Sequence, residues 1–410
     1  MLFRELLRAV IREGSLGLID HRGRLHRYGS GTGPDVVLKM HDPGLDWSIP
    51  LNPPVRFAEA YMNGTLTVEE GSIEDFVVVF ARNYGHLERH WIMRLANRLG
   101  RQGRSLKQYN PIGKAQQNVS HHYDLSETLY RLFLDDDMQY SCGYFPSPEA
   151  TLEEAQQAKK RHIANKLYLD RPGLSILDIG SGWGGMGLFL AENAGADVTG
   201  VTLSAEQHRV SRDRARQRHL DEQVNFLIRD YRELDGKFDR IVSIGMFEHV
   251  GKENYDEYFS KVADLLTDDG VALIHSIGRF DEPGPINPFI RKYIFPGADI
   301  PTLSEVMPAV ERSSLLVTDI EILRLHYAET LRHWRNRFQA NRALVRELYD
   351  ERFCRMWELY LVGCEYGFRL QNMMVFQIQL TKRLDALPLT RDYMYKQPVT
   401  VSKETIRAAE

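Results

Sequence analysis

The chain has 410 residues, 43% hydrophobic and 26% charged, which is long enough for two or three domains around a large core and too ordinary in composition for disorder. Its net charge of -4 and pI near 6.4 give no global pull toward nucleic acid or anionic lipid, so any such attraction is local. The 3 cysteines, Cys142, Cys354 and Cys364, form neither a C-x-x-C pair nor a zinc spacing, and no apolar run is long enough to span a membrane, so a cytosolic chain without disulfides or a metal is expected.

Residues 2 to 12 set Leu2, Phe3, Leu6, Leu7, Val10 and Ile11 on one helical face, with Arg4, Arg8 and Arg12 mostly on the other. The Gly- and Pro-rich region up to Pro54 contains short β-like runs such as Asp35 to Met40. Val55 to Met62 and Ile73 to Tyr84 read as helices, completing a small α+β domain. From His86 to Lys107 the composition turns basic: Arg89, Arg94, Arg98, Arg101, Arg104 and Lys107 stand against Glu88, with Trp91, Leu95 and Leu99 at helical spacing. Such a segment suits an anionic membrane surface, or else a solvated interdomain helix. The domain boundary is placed there, at 108/109.

Beyond Pro111 strands alternate with helices. Ser175 to Gly180, Ala196 to Thr202, Val224 to Ile228, Phe238 to Ile244 and Val271 to Ser276 read as strands. Met186 to Asn193 and Ala205 to His219 read as helices. This order predicts an α/β fold with a doubly wound, mostly parallel sheet. From about Asn287 to Arg383 a largely helical, aromatic-rich region is expected.

The first strand runs into Asp178-Ile179-Gly180-Ser181-Gly182-Trp183-Gly184. Glycines at alternate positions let the backbone turn sharply and approach a ligand at the carboxyl edge of a parallel sheet. This D-x-G-x-G-x-G run resembles the first motif of class I S-adenosylmethionine-dependent methyltransferases, with a nicotinamide enzyme as the competing assignment. The second strand ends in Thr202-Leu203-Ser204, with Gln207 after it and no ribose-binding acid, which disfavours NAD. Asp230 and Tyr231, after the third strand, suit an adenine edge and face, although Tyr231 equally suits ordinary packing.

Several further blocks fall in order along residues 115 to 385: His121 to Leu125, Tyr140 to Phe145, Phe247-Glu248-His249-Val250-Gly251, His275-Ser276-Ile277-Gly278 and His326 to Leu331. Together with the glycine turn they resemble the cyclopropane-fatty-acyl-phospholipid synthases and the related mycolic-acid cyclopropane synthases and methyltransferases. The first 110 residues look like the extra N-terminal domain of the phospholipid-acting branch. The resemblance implies a class I, Rossmann-like methyltransferase fold and methyl transfer from S-adenosylmethionine to a cis double bond of an unsaturated phospholipid acyl chain. It also implies a homodimer in peripheral contact with the inner face of the cytoplasmic membrane, and no nucleic-acid partner.

By the same resemblance Tyr140, Ser141, Gly180, Gly182, Thr202, Leu203 and Gln207 would hold the cofactor, joined by Asp178 and Gly184 of the glycine motif and by Asp230 and Tyr231 at the adenine. Cys142, Glu248, His275, Ile277 and Tyr327 would hold a bicarbonate acting as general base. An alkene is a weak nucleophile, so its attack on a sulfonium methyl needs alignment in a water-free pocket, and aromatic faces such as Tyr327 or Phe247 suit the cation that results. The segment Val317 to Leu325, before His326, departs from the acidic approach typical of the synthases, with Asp319 and Glu321 as compensating acids. This leaves open whether the product is a cyclopropane or a methylene- or methyl-branched chain.

Overall fold

The computed structural model describes residues 2–89 and 126–395, and the chain forms two compact units that are discontinuous in sequence. Arg94, Arg98, Arg101 and the rest of the basic run beyond Arg89, and the block His121 to Leu125, lie outside the described residues.

The first unit contains the N-terminal residues together with Gly284–Pro296 and Ala328–Met373. Its sheet comprises β1 (Gly14–Ile19), β2 (Leu25–Thr32), β3 (Asp35–Met40) and β4 (Leu66–Glu70), in the order β2-β1-β3-β4. The opening helix Leu2–Val10 forms as its periodicity predicts, but Phe3, Leu7 and Val10 are buried in the protein, as is Ile11 just beyond. Each such side chain contributes roughly 1.5–3 kcal/mol by leaving water. That apolar face is therefore committed to the core.

Ion pairs tie the N-terminal residues to the later helices within this unit. Arg335 bonds Glu74 at 2.8 Å and Glu365 at 3.0 Å, while Arg369 bonds Glu365 at 2.9 Å and Glu329 at 2.8 Å. The segment 328–373, expected to belong with the catalytic domain, thus groups with the N-terminal residues.

The second unit is built on seven strands: β5 (Ser175–Ile179), β6 (Asp197–Thr202), β7 (Val224–Ile228), β8 (Phe238–Ile244), β9 (Leu266–Arg279), β10 (Leu316–Ile322) and β11 (Met373–Thr381). Their order is β10-β11-β9-β8-β5-β6-β7, with β5, β6, β7, β8 and β9 linked by parallel pairing. Period-two alternation sends neighbouring residues to opposite faces. Leu177, Ile241 and Ile274 enter a core packed by the helices Tyr255–Leu265 and Leu303–Arg312. Ile176, Val242 and Leu273 enter another, packed by Leu152–Lys166 and Gly185–Ala194. Both faces are covered, which is the doubly wound, Rossmann-like arrangement of a class I methyltransferase.

The stretch from Asn287 to Arg383, expected to be largely helical, holds the helices Leu303–Arg312, His326–Ala340, Arg342–Leu348 and Glu351–Leu370, but it also contributes β10 and β11, which pair antiparallel at one edge of the sheet. The alternation that makes β11 a strand is plain in Met374, Phe376, Ile378 and Leu380 against Val375, Gln377, Gln379 and Thr381. It directly follows the 20-residue helix Glu351–Leu370, whose aromatic periodicity dominates a longer window.

Candidate active site

At the carboxyl ends of β5, β6, β7 and β8 lies a cleft enclosing about 1310 Å³, its solvent mouth included. Crevices of this kind form where successive parallel strands release their chains toward different helices. Of the expected cofactor residues, Tyr140, Ser141, Asp178, Gly180, Gly182, Thr202, Leu203, Gln207, Asp230 and Tyr231 all line it.

The glycine turn is held by backbone bonds from Gly180 and Ser181 to the Val201 carbonyl, both 2.9 Å. Gly182 has a φ of +53°, and a Cβ there would meet nothing within 4 Å, so the backbone is bare where it faces the cleft. Gly184 differs and corrects the expectation of a cofactor contact, because it does not line the cleft. Its φ of +83° turns the chain into the helix Gly185–Ala194, and a Cβ would strike Phe226 Cζ at 2.7 Å and Ser211 Cβ at 2.8 Å. Close packing, not ligand contact, requires that glycine.

Asp178 is buried, and its Oδ2 has no hydrogen-bond partner. Burial pushes its carboxyl up to about 7, with the Lys159 charge working the other way. An orphaned buried carboxylate beside a bare glycine turn fits the cationic amino-acid end of S-adenosylmethionine. Thr202 donates to Gln207 Oε1 at 2.8 Å, leaving the Gln207 amide NH2 as the end offered to a ligand. Asp230 already accepts the Arg232 guanidinium at 2.9 and 2.7 Å and the Arg232 backbone N–H at 3.0 Å, so its carboxylate also caps the turn after β7. Tyr231 packs edge-on to Tyr258 at 5.4 Å while still lining the cleft.

Several residues enter the site that sequence reasoning missed. Asp135 accepts from the backbone N–H of Gln139 at 2.8 Å and of Asp137 at 3.2 Å, closing a tight turn in which Met138 adopts a φ of +57°. That left-handed residue is costly outside glycine and delivers Gln139, Tyr140 and Ser141 to the cleft wall. Lys159 is buried beneath them, donating to Gln139 Oε1 at 2.7 Å and Ser141 Oγ at 2.8 Å. Desolvation lowers it to about 8. The charged composition of the helix Leu152–Lys166 gives this burial no prominence in the sequence. The available signal is that Leu152, Ala155, Gln156, Lys159 and Ile163 share one face at helical spacing.

The five residues of the expected bicarbonate set do not line the cleft. Glu248 sits in the turn after β8, buried, and its Oε1 accepts the Ile277 backbone N–H at 2.7 Å. Its Oε2 is buried without a partner, and burial pushes the carboxyl up to about 7 against that bond. His275, on β9, is buried, and desolvation followed by the charges of Lys159 and Lys166 lowers it to about 3. Cys142 is buried with its thiol on the Gly143 carbonyl at 3.2 Å, and Tyr327 is buried at the start of the helix His326–Ala340. Phe247, expected as a cation-facing ring, instead stacks on Tyr255 at 4.7 Å and meets Tyr258 at 5.0 Å inside the core.

The sequence profile described as "Mycolic acid cyclopropane synthetase" matches residues 112–378. The chain is 40% identical over 289 residues to a probable fatty acid methyltransferase of Pseudomonas putida, covering 68% of this chain and 73% of that one. It is also 40% identical over 264 residues to the cyclopropane-fatty-acyl-phospholipid synthase of Escherichia coli K12, covering 64% and 67%. Among solved structures, mycolic acid cyclopropane synthase CmaA1 complexed with SAH and CTAB superposes with a TM-score of 0.62 at 36% identity, over 65% of this chain and 97% of that chain. With the glycine turn, the cleft and the doubly wound sheet already in place, the match across more than half its length means that the chain belongs to the mycolic acid cyclopropane synthetase family, whose catalysts are S-adenosylmethionine-dependent C-methyltransferases.

Proposed function

We propose that the chain is a cyclopropane-fatty-acyl-phospholipid synthase. It transfers the methyl of S-adenosylmethionine to the cis double bond of an unsaturated phospholipid acyl chain and closes the ring as one proton leaves, a net gain of one CH2. The observation that carries this reading is the pairing of an open cleft ending at Asp178 with a buried acid and imidazole, Glu248 and His275, kept out of water.

When bound, S-adenosylmethionine supplies an electrophilic methyl and bicarbonate supplies a base weak enough to coexist with a sulfonium. Asp178 receives the cofactor's ammonium, Gln207 and Ser141 offer polar groups to the rest of the molecule, and Gly182 leaves its backbone clear. Glu248 Oε2, buried and unpartnered, is the acceptor for a small oxyanion's hydroxyl, and the Ile277 N–H holds the other oxygen of the carboxylate in place. Cys142, His275 and Tyr327 complete that set by resemblance, and burial of these three and of Glu248 keeps water from intercepting the alkyl cation.

Mass spectrometry of lipids from a host expressing the chain tests the reading: each modified acyl chain gains one CH2. A second outcome is a methyl-branched or methylene chain, formed when the proton leaves from another carbon or after a hydride shift. Hydrogenation followed by gas chromatography separates ring from branch. Unmodified acyl chains would overturn both. Access to a bilayer is assigned to the basic run Arg89 to Lys107, since no described helix is long and apolar enough to cross a membrane. Replacing Arg94, Arg98 and Arg101 with Gln is expected to weaken co-sedimentation with anionic vesicles, at about 1 kcal/mol per residue.

A further inference from the structure

Alternation along the sheet puts His275 on β9 and Gln377 on β11 on the same face as the helix Leu152–Lys166, and there they join a buried chain of polar contacts. Gln377 Nε2 lies 3.0 Å from His275 Nδ1, and Gln377 Oε1 accepts from Lys166 Nζ at 2.8 Å. His275, Gln377 and Lys166 are only 1–2% exposed. Lys166 is itself bonded to the Glu321 carboxylate, which also pairs with His162 Nε2 at 2.6 Å. Burial works against ionised Glu321, but the bonds from His162 and Lys166 prevail and lower it to about 2.

The chemistry of these groups leaves one assignment of protons. An ammonium only donates, so the Gln377 amide must turn its oxygen to Lys166 and its NH2 to the histidine. An NH2 only donates, so Nδ1 of His275 is the lone-pair nitrogen, and the single proton of the neutral ring sits on Nε2.

We propose that Gln377 is a positioning residue that holds His275 in its Nε2–H tautomer, with Lys166 fixing the direction of the amide. In that form the ring presents a donor to an oxyanion; the other tautomer would present a lone pair and repel it. The consequence for catalysis rests on the reading that His275 faces the proton-accepting anion, whereas the tautomer itself is measurable with no substrate present.

The test uses full-length protein labelled with 15N-histidine, with the His275 signals identified by their loss in His275→Gln. A pyridine-like Nδ1 and a pyrrole-like Nε2 are expected in the wild type, and a pyrrole-like Nδ1 would overturn the proposal whatever the variants do. Gln377→Met, similar in length but without a donor, is expected to mix the tautomers. It should also raise the bicarbonate concentration for half-maximal rate in inverse proportion to the Nε2–H fraction that remains, about twofold for an even mixture, with S-adenosylmethionine affinity by calorimetry unchanged. If His275 keeps a pure Nε2–H tautomer in Gln377→Met, Gln377 only fills space and the proposal fails. If the tautomers mix and the rate never depends on bicarbonate, the positioning role stands and the bicarbonate reading is what falls.

Discussion

Asp178 and Glu248 are both buried carboxyls pushed up to about 7, yet they stand in opposite surroundings. Asp178 faces an open cleft, with Lys159 as a nearby counter-charge and a glycine turn beside it. Glu248 lies away from the cleft wall, inside the 3-10 turn Phe247–His249 whose Phe247 packs into an aromatic core, and its Oε1 accepts the Ile277 backbone N–H. The same desolvation therefore serves two ends. In the cleft it leaves a carboxyl that an incoming cation would ionise; in the closed cluster it leaves one that stays dry.

The largest effect that would break this contrast is on turnover. Glu248→Gln keeps the oxygen that accepts the Ile277 N–H but removes the basic acceptor. The rate is expected to fall by a factor on the order of 10² or more, with cofactor affinity by calorimetry nearly unchanged. A parallel loss of cofactor affinity would mean that the two sites are not separate.

The same variant should alter stability in the opposite direction. With its folded value above the ordinary carboxylate value of 4.5, Glu248 keeps its proton in the folded protein where the unfolded chain has released it. Its contribution is fully present below about pH 4.5 and is lost as pH rises through 7. Glu248→Gln has no such loss, so by urea denaturation it should gain on the wild type between pH 4.5 and 8, by an amount on the order of 3 kcal/mol. An offset that stays constant with pH would show that Glu248 is not held in a desolvated pocket.

Within the cleft, two neighbouring glycines sharpen the comparison. Gly182→Val places a branched side chain at a φ of +53° in open space, with a backbone cost of about 1–2 kcal/mol. It should weaken S-adenosylmethionine binding by about tenfold or more while far-UV circular dichroism stays unchanged. Gly184→Ala meets Phe226 and Ser211, so it should lower the melting temperature and leave the affinity of the folded fraction within about twofold. A reversal of these two outcomes would move the cofactor to the other side of the turn.

Much of the catalytic unit is legible in the chain itself. Val224–Ile228 and Phe238–Ile244 are strands with the bounds their apolar runs suggest, and the alternate glycines after Asp178 announce a nucleotide-binding turn. Hydrophobic periodicity and backbone-permissive residues are local properties, and one stretch of sequence suffices to express them. The ordered blocks around Cys142, Glu248, His275 and Tyr327 point to a family, since so many short motifs in one order do not recur by chance.

Tertiary structure alone decided the rest. Lys159, Lys166 and Gln377 look like solvated or neutral positions, and each becomes a buried partner because strands and a helix far apart in sequence converge on it. The apolar face of Leu2–Val10 is plain in the sequence, and only its burial shows that it faces the core. Gly182 and Gly184 are indistinguishable in the motif, while the surroundings of each Cβ leave the first bare toward the cleft and press the second against Phe226 and Ser211. Local pattern determines which element forms; what an element faces depends on long-range packing, which no window of sequence contains.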